Sequence, residues 1–142
     1  TLEEINEGDQ YNIIYGFNQG IFGDILDITD LNLPNLTSLP LVDVLNVPAG
    51  YINNSLVKIF GIGLGDADST AGLFGDSGSL ENLKLSNGNQ ALLVTATSQY
   101  TGEAQNIYSI HQNSGFIEIH HLAHLVGNYL DIDNWSLDNF LI

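Results

Sequence analysis

The sequence predicts a mostly β single domain, of the β-sandwich or β-roll-like kind, with one short helix. Short segments that alternate apolar and polar residues recur along the chain, as β-strands require. Proline, glycine and asparagine separate these segments, and 142 residues, of which 44% are hydrophobic, suffice for one core but not for two. We expect residues 1–10 to form an acidic lead-in and residues 11–142 to form the β-rich domain.

Alternating or apolar runs predict the individual strands. The prolines at 34, 40 and 48 divide residues 30–50 into short pieces, which excludes a long helix there and favours loops or edge strands. The predicted strands are 11–17, 41–47, 55–64, 91–97, 106–112, 116–126 and 139–142.

Turn and cap residues predict one hairpin and one helix. The tripeptide Asn113-Ser114-Gly115 stands between two alternating runs, and its glycine can take the positive φ that a tight turn needs. Residues 79–88 are the best helix candidate, because Ser79 can cap the first turn and Gly88 can end the last one.

Charge and composition exclude several classes of partner. The chain has 17 carboxylates against two lysines, a formal net charge of −15, so it repels phosphate backbones and anionic lipid surfaces and is not expected to bind nucleic acid. Asp, Asn, Gly or Pro interrupts every apolar run, so we expect no membrane insertion. With no cysteine, the chain has neither disulfides nor thiolate metal sites. Bound Ca²⁺ would offset the negative charge, and the alternative is a solubilising acidic surface.

The segment GLGDADST suggests a calcium site. Asp66, Asp68 and Thr70 are spaced two apart, as at the start of an EF-hand loop. The sixth position is Ala71 and the twelfth is Ser77, where that loop has Gly and Glu, so an EF-hand is not expected. A looser calcium site using the two aspartates and an ordinary polar turn both stay open.

Histidines cluster in one predicted strand. His120, His121 and His124 lie close together, and in a regular strand His120 and His124 share one face while His121 takes the other. A zinc site would need a third ligand and an orienting second shell, and no Glu follows His120 as the HExxH motif requires. Structural histidines are the favoured interpretation, with a metal site as the alternative.

The segment before the last strand carries a possible ligand site. Asp131 and Asp133 lie on one side of an extended segment just before Trp135, so they could bind calcium or, with an aromatic platform, a sugar. Trp135 is alternatively an anchor of the core. No nucleophile elbow or phosphate-binding loop is present in the sequence, and nothing in it would split the pKa values of the two carboxylates. We therefore expect no enzymatic activity.

Two stretches carry a resemblance to a known group of proteins. The stretch FNQGIFGDILDITDLNL resembles the segment that follows the glycine-aspartate repeats of bacterial haemolysin-type calcium-binding proteins. The stretch GFIEIHHLAHLVGNYLDIDNWSLDNFLI is similar to the terminal region of type I secretion substrates and related surface-layer proteins, which often finish with an acid followed by hydrophobic residues. The resemblance implies export through a type I secretion apparatus and calcium-assisted folding outside the cell, with Asp24 and Asp27 as calcium ligands. The secretion signal that it implies consists of Asp138, Phe140, Leu141 and Ile142.

We expect a C-terminal secretion or assembly module of a larger secreted or cell-surface bacterial protein, whose partners are the type I secretion apparatus or cell-surface components. The alternative is an adhesin or carbohydrate-binding β-sandwich that contacts its ligand through Trp135, Tyr129, Asp131 and Asp133. An exposed aromatic platform would favour this alternative. Buried aromatics and an exposed end at 138–142 would favour the secretion module.

Overall fold

The computed structural model describes residues 2–4, 12–20, 22–33, 35–62, 67–99, 105–127 and 131–142, with the backbone alone for 2–4 and 67–69. The described strands are β1 (Leu2–Glu4), β2 (Asn12–Tyr15), β3 (Ile25–Asp27), β4 (Thr37–Ser38), β5 (Val42–Asp43), β6 (Gly50–Tyr51), β7 (Ser55–Phe60), β8 (Leu83–Lys84), β9 (Gln90–Ala96), β10 (Gln105–Asn113), β11 (Phe116–Val126) and β12 (Phe140–Leu141). The described helices are α1 (Ala67–Gly72) and the 3-10 helices Thr29–Leu31, Val44–Asn46, Ile132–Asn134 and Leu137–Asn139. The prediction of a mostly β domain with a single short α-helix is confirmed.

A seven-stranded mixed sheet, the main sheet, forms the centre of the domain. Its strand order is β2-β11-β10-β9-β7-β4, and β5 pairs with the same edge of β7 as β4 does. The neighbours β9, β10 and β11 are antiparallel, whereas β2 is parallel to β11 and β7 is parallel to β9. Strands β1, β3 and β12 form a smaller parallel sheet, and β6 pairs with β8.

The main sheet carries apolar side chains on both faces. Its first face includes Leu92, Val94 and Ile107, and its second face includes Leu93 and Tyr108, all of them buried. A near-continuous apolar run such as that of β9 is typical of a strand that is buried on both sides. The predicted β-sandwich or β-roll-like arrangement thus takes the form of one central sheet between two apolar clusters.

The acidic lead-in is described only in part. The backbone of Leu2–Glu4 forms β1 and pairs with Ile25–Asp27 of β3. The predicted boundary between residues 10 and 11 lies outside the described residues.

The predicted hairpin is confirmed. Strand β10 ends at Asn113 and β11 begins at Phe116, so Ser114 and Gly115 alone connect them. Both connecting residues have positive φ, 50° and 91° respectively. Two such residues form the kind of tight turn whose twist matches that of the adjoining strands.

The prediction of a helix over residues 79–88 is wrong. That segment contains the strand β8, where Leu83 is buried and Lys84 is exposed, and turns precede and follow it. Backbone hydrogen bonds tie β8 to β6, because Gly50 N donates to Asn82 O and Ile52 N donates to Lys84 O. The leucine spacing suits a helix or a strand, and this non-local pairing decides between them. The α-helix instead lies at α1, within the segment for which the sequence suggested a calcium loop, and packs against β11.

The last twelve residues, 131–142, form a closing segment over the first face of the main sheet. The buried side chain of Lys58, on β7, reaches this segment. Its Nζ donates to the carbonyl oxygens of Asp133 and Trp135, at 3.3 Å each, and lies 3.6 Å from Asp133 Oδ1. One of the two lysines of the chain therefore joins the closing segment to a central strand.

Two further side chains fix the closing segment. Trp135 stacks between Phe17 and Phe140, and its Nε1 donates to Gln105 Oε1 at 2.6 Å. Asn139 is fully buried; its Oδ1 accepts from Gly20 N at 2.9 Å, and its Nδ2 donates to the carbonyl oxygens of Gly20 and Asp24. Polar groups therefore reach partners inside the core, as burial requires.

We predict that Lys58→Met lowers the free energy of unfolding by about 2–4 kcal/mol, because it leaves two carbonyl oxygens without their donor. The exposed Lys84 provides the matched control, and Lys84→Met should change stability by less than about 0.5 kcal/mol. Urea unfolding followed by tryptophan fluorescence measures both. Equal losses in the two variants would contradict the clamp.

Candidate functional site

The predicted calcium ligands do not converge among the described residues. Asp24 Oδ2 accepts from the backbone N and the side-chain Nδ2 of Asn18, at 2.9 and 3.3 Å. The described part of the chain contains no group of three or more His, Cys, Asp or Glu side chains that could hold a metal ion. Asp66 lies outside the described residues, and Asp68 lies in α1, where only the backbone is described. Calcium binding stays a prediction.

Asp27 has a local partner of its own. Its Oδ1 accepts from Thr29 Oγ1 at 2.7 Å and from Thr29 N at 3.0 Å. The hydrogen bond from the threonine side chain, followed by that from its backbone, lowers the pKa of Asp27 below its ordinary value. The carboxylate thus holds the start of the 3-10 helix Thr29–Leu31.

The predicted aromatic platform at Trp135 is not formed, because the residue is only 2% exposed and lies in the core. Its interpretation as a core anchor is confirmed. Asp131 Oδ1 accepts from Asp133 N at 2.9 Å and so caps the 3-10 helix that follows. Asp133 is exposed beside Lys58, and Tyr129 lies outside the described residues. The structure therefore does not assemble these side chains into an aromatic-lined sugar site.

The predicted secretion signal is part of the fold. Phe140 is buried in the core and pairs with Leu26 across β12 and β3, which corrects the expectation of an exposed end throughout 138–142. Asp138 is exposed, and Leu141 and Ile142 are each 45% exposed. The aromatic ring enters the core because the neighbouring Trp135 and Phe17 complete a stack with it.

An apolar groove opens to solvent on the side of the second apolar cluster. It has a volume of about 220 Å³ and lies between residues 39–42, residues 48–52 and the side chains of Val57 and Leu83. Val57 belongs to β7 and is fully buried, so the floor of the groove is the main sheet itself. Tyr51 stands at its rim with 69% of its surface exposed. The groove is a preformed place for an apolar group.

A lysine lies next to this aromatic ring. Tyr51 and Lys84 are direct partners in the parallel pair β6–β8, so their side chains lie on the same side of that ladder. Lys58 is buried, which makes Lys84 the exposed lysine of a chain with two lysines and no arginine accounted beyond them. In a protein of net charge −15, the rim of the groove is thus a cationic position.

A β-bulge in β11 rearranges the histidines. Asn106 pairs with His124 and Tyr108 pairs with His121, so one extra residue of β11 lies between the two pairs. His121 and His124 therefore share the second face, which corrects the expectation that they lie on opposite faces. His121 Nε2 and His124 Nδ1 lie 2.9 and 2.8 Å from the same atom, Asn106 Oδ1. Tyr108 stacks on the His121 ring with centroids 4.8 Å apart.

The polar row continues across the sheet. Thr95 on β9 pairs with Asn106 on β10, so their side chains are neighbours on the second face. Thr95 is fully buried, and its Oγ1 has no hydrogen-bond partner within the described ranges. A row of threonine, asparagine and histidine in an otherwise apolar face costs free energy unless every group is paired.

The sequence gave no reason to select Tyr51, Asn106 or Thr95. The groove depends on the packing of three segments that are distant along the chain, and no local pattern marks it. The asparagine carries a weak signal, since it is a polar residue at the start of a strand that also contributes apolar side chains to both faces.

Comparisons with protein-family models, with curated proteins and with solved structures found no match to this chain. Among the helices of the described ranges, none is long and apolar enough to cross a membrane.

We predict that Thr29→Val raises the pKa of Asp27 toward its ordinary value of 3.8, because it removes the stronger of two hydrogen bonds to the carboxylate. A lowered pKa stabilises the fold above the ordinary value, and this contribution is lost as pH falls through the folded-state value. Carboxyl carbon NMR measures the titration, with Thr37→Val as the control. An unchanged Asp27 midpoint in Thr29→Val would show that the threonine hydroxyl has no such effect.

Proposed function

We propose that this domain is a non-catalytic binding module of a larger secreted or cell-surface protein, and that the apolar groove beside Tyr51 holds its ligand. The observation that supports the proposal is a preformed apolar depression open to solvent beside an exposed tyrosine. Buried side chains of Ile52, Val57 and Leu83 line it, so little ordering is needed when a ligand enters.

The rim defines the kind of ligand. A tyrosine that is 69% exposed can bury much of its ring against a partner at a low cost in conformational entropy. Lys84 stands beside it and favours an anionic group. The ligand thus presents an apolar group to the groove and an anionic group to the lysine.

Gly50 provides a direct way to close the groove. It lines the groove, it pairs with the buried Leu83, and a Cβ added to it would meet nothing within 4 Å. Its φ is not positive, so a larger residue fits the backbone without strain. A leucine at this position fills the space that a ligand would occupy.

We predict that the native chain binds the apolar anion anilinonaphthalene sulfonate at a saturable site, and that Gly50→Leu weakens binding by about tenfold or more. Tyr51→Ala and Lys84→Gln should each weaken it by several-fold, because each removes one part of the recognition. Fluorescence titration of folded protein measures the binding.

Tyr15→Ala is the matched control, since that tyrosine is also exposed but lies on β2, away from the groove. It should leave the affinity unchanged. Saturable binding that is equally strong in Gly50→Leu would place the ligand elsewhere and overturn the proposal.

The second candidate is the secretion or assembly module, which the exposed Asp138, Leu141 and Ile142 favour. Phe140 and Asn139 are buried in the same segment, so an apparatus could read all of it only before the domain folds. A secretion role of this segment therefore requires that export precedes folding.

We predict, for this candidate, that a reporter fused to the chain is exported by a type I secretion apparatus and that deletion of residues 138–142 abolishes export. Lys58→Met weakens the fold but leaves that segment intact, so export should be equal or greater. Secreted reporter activity measures both variants. A loss of export in Lys58→Met as large as in the deletion would show that the folded domain is recognised, contrary to this prediction.

A further inference from the structure

The bulge in β11 aims two imidazoles at one oxygen atom. A regular strand would place His121 and His124 on opposite faces, and the extra residue between them places both on the second face beside Asn106. Bulges are frequent next to functional sites, where they re-aim a side chain. The result is a set of two nitrogens and one oxygen on two adjacent strands.

The distances within this set suit a metal ion. Ligand atoms at about 2.1 Å from one ion, at right angles to each other, lie about 3 Å apart. His121 Nε2 and His124 Nδ1 lie 2.9 and 2.8 Å from Asn106 Oδ1. Without an ion, each nitrogen must carry a hydrogen for the amide oxygen to accept; with the other tautomer, the lone pairs of the nitrogens are available to an ion.

A buried hydroxyl next to this set is an independent observation. Thr95 lies beside Asn106 in the same row, is fully buried, and its Oγ1 lacks a hydrogen-bond partner in the described structure. Unpaired buried hydroxyls are uncommon and call for an unmodelled water or ion as their explanation. A water held by an ion at the neighbouring residues would supply that partner.

We propose that Asn106, His121 and His124 form a site for a divalent transition ion of borderline softness, such as Zn²⁺. Imidazole nitrogen suits zinc, copper and nickel, whereas Ca²⁺ takes oxygen ligands almost exclusively. The negative charge of the protein raises the local concentration of any cation. The ion joins β10 to β11 across the bulge and stabilises the domain by mass action.

The two remaining histidines of the chain provide matched controls. His120 is exposed next to His121 in sequence but pairs with Ser109, on the first face. His111 lies 3.8 Å from Glu118 on the same face. A double variant, His111→Gln with His120→Gln, keeps only the two histidines of the proposed site, because the chain has four.

Isothermal titration of the chelator-treated full chain with Zn²⁺ tests the site. We expect one site, with the affinity of the double variant within about twofold of the native value, and with His121→Gln or His124→Gln weaker by about tenfold or more. Asn106→Asp should bind more tightly, since it replaces a neutral ligand by a carboxylate.

Electron paramagnetic resonance of Cu²⁺ bound to the double variant keeps the test decisive if a single-histidine variant does not fold. Two coordinated imidazole nitrogens are expected. Loss of zinc binding in the double variant, a single coordinated nitrogen, or an affinity unchanged by His121→Gln in folded protein would each overturn the proposal.

Discussion

The strands β7, β9 and β10 are apolar on both faces, and the rest of the domain is arranged to cover them. Such strands cannot face water on either side, so each face needs a layer of its own. The first face is covered largely by segments with little regular structure, including the closing segment. Because these segments lack a long amphipathic element, individual polar contacts hold them in place. Lys58, Gln105 and Asn139 make those contacts.

This requirement explains much of the acidic composition. Asp27, Asp43 and Asp131 each accept a backbone N–H two residues later and so begin a 3-10 helix. Such caps satisfy donors that a short helix leaves unpaired. The regularly spaced aspartates that suggested calcium binding therefore have a structural role in the described part of the chain. A site that includes Asp66 is a separate matter, because that residue lies outside the described ranges.

The sequence predicted the strands well where both faces are buried and poorly elsewhere. The runs at 91–97, 106–112 and 116–126 correspond closely to β9, β10 and β11, and the turn at Ser114 and Gly115 follows from local chemistry. The helix over 79–88 failed, since the pairing of β8 with β6 is set by residues more than thirty positions away. The histidine arrangement failed for a similar reason. One inserted residue in β11 reverses the alternation, and no single-strand pattern records a bulge.

The two faces of the main sheet differ in what they can do. On the first face, Trp135, Phe140 and Asn139 are buried in the contacts that hold the closing segment, so a change there disturbs the fold before it disturbs any site. The second face carries both the groove floor and the row from Thr95 to His124. The rim residues Tyr51 and Lys84 are exposed, and neither contributes to the closing segment. Function can therefore vary on the second face while the contacts of the first face keep the fold, which is the division expected of a binding module built on a rigid sheet.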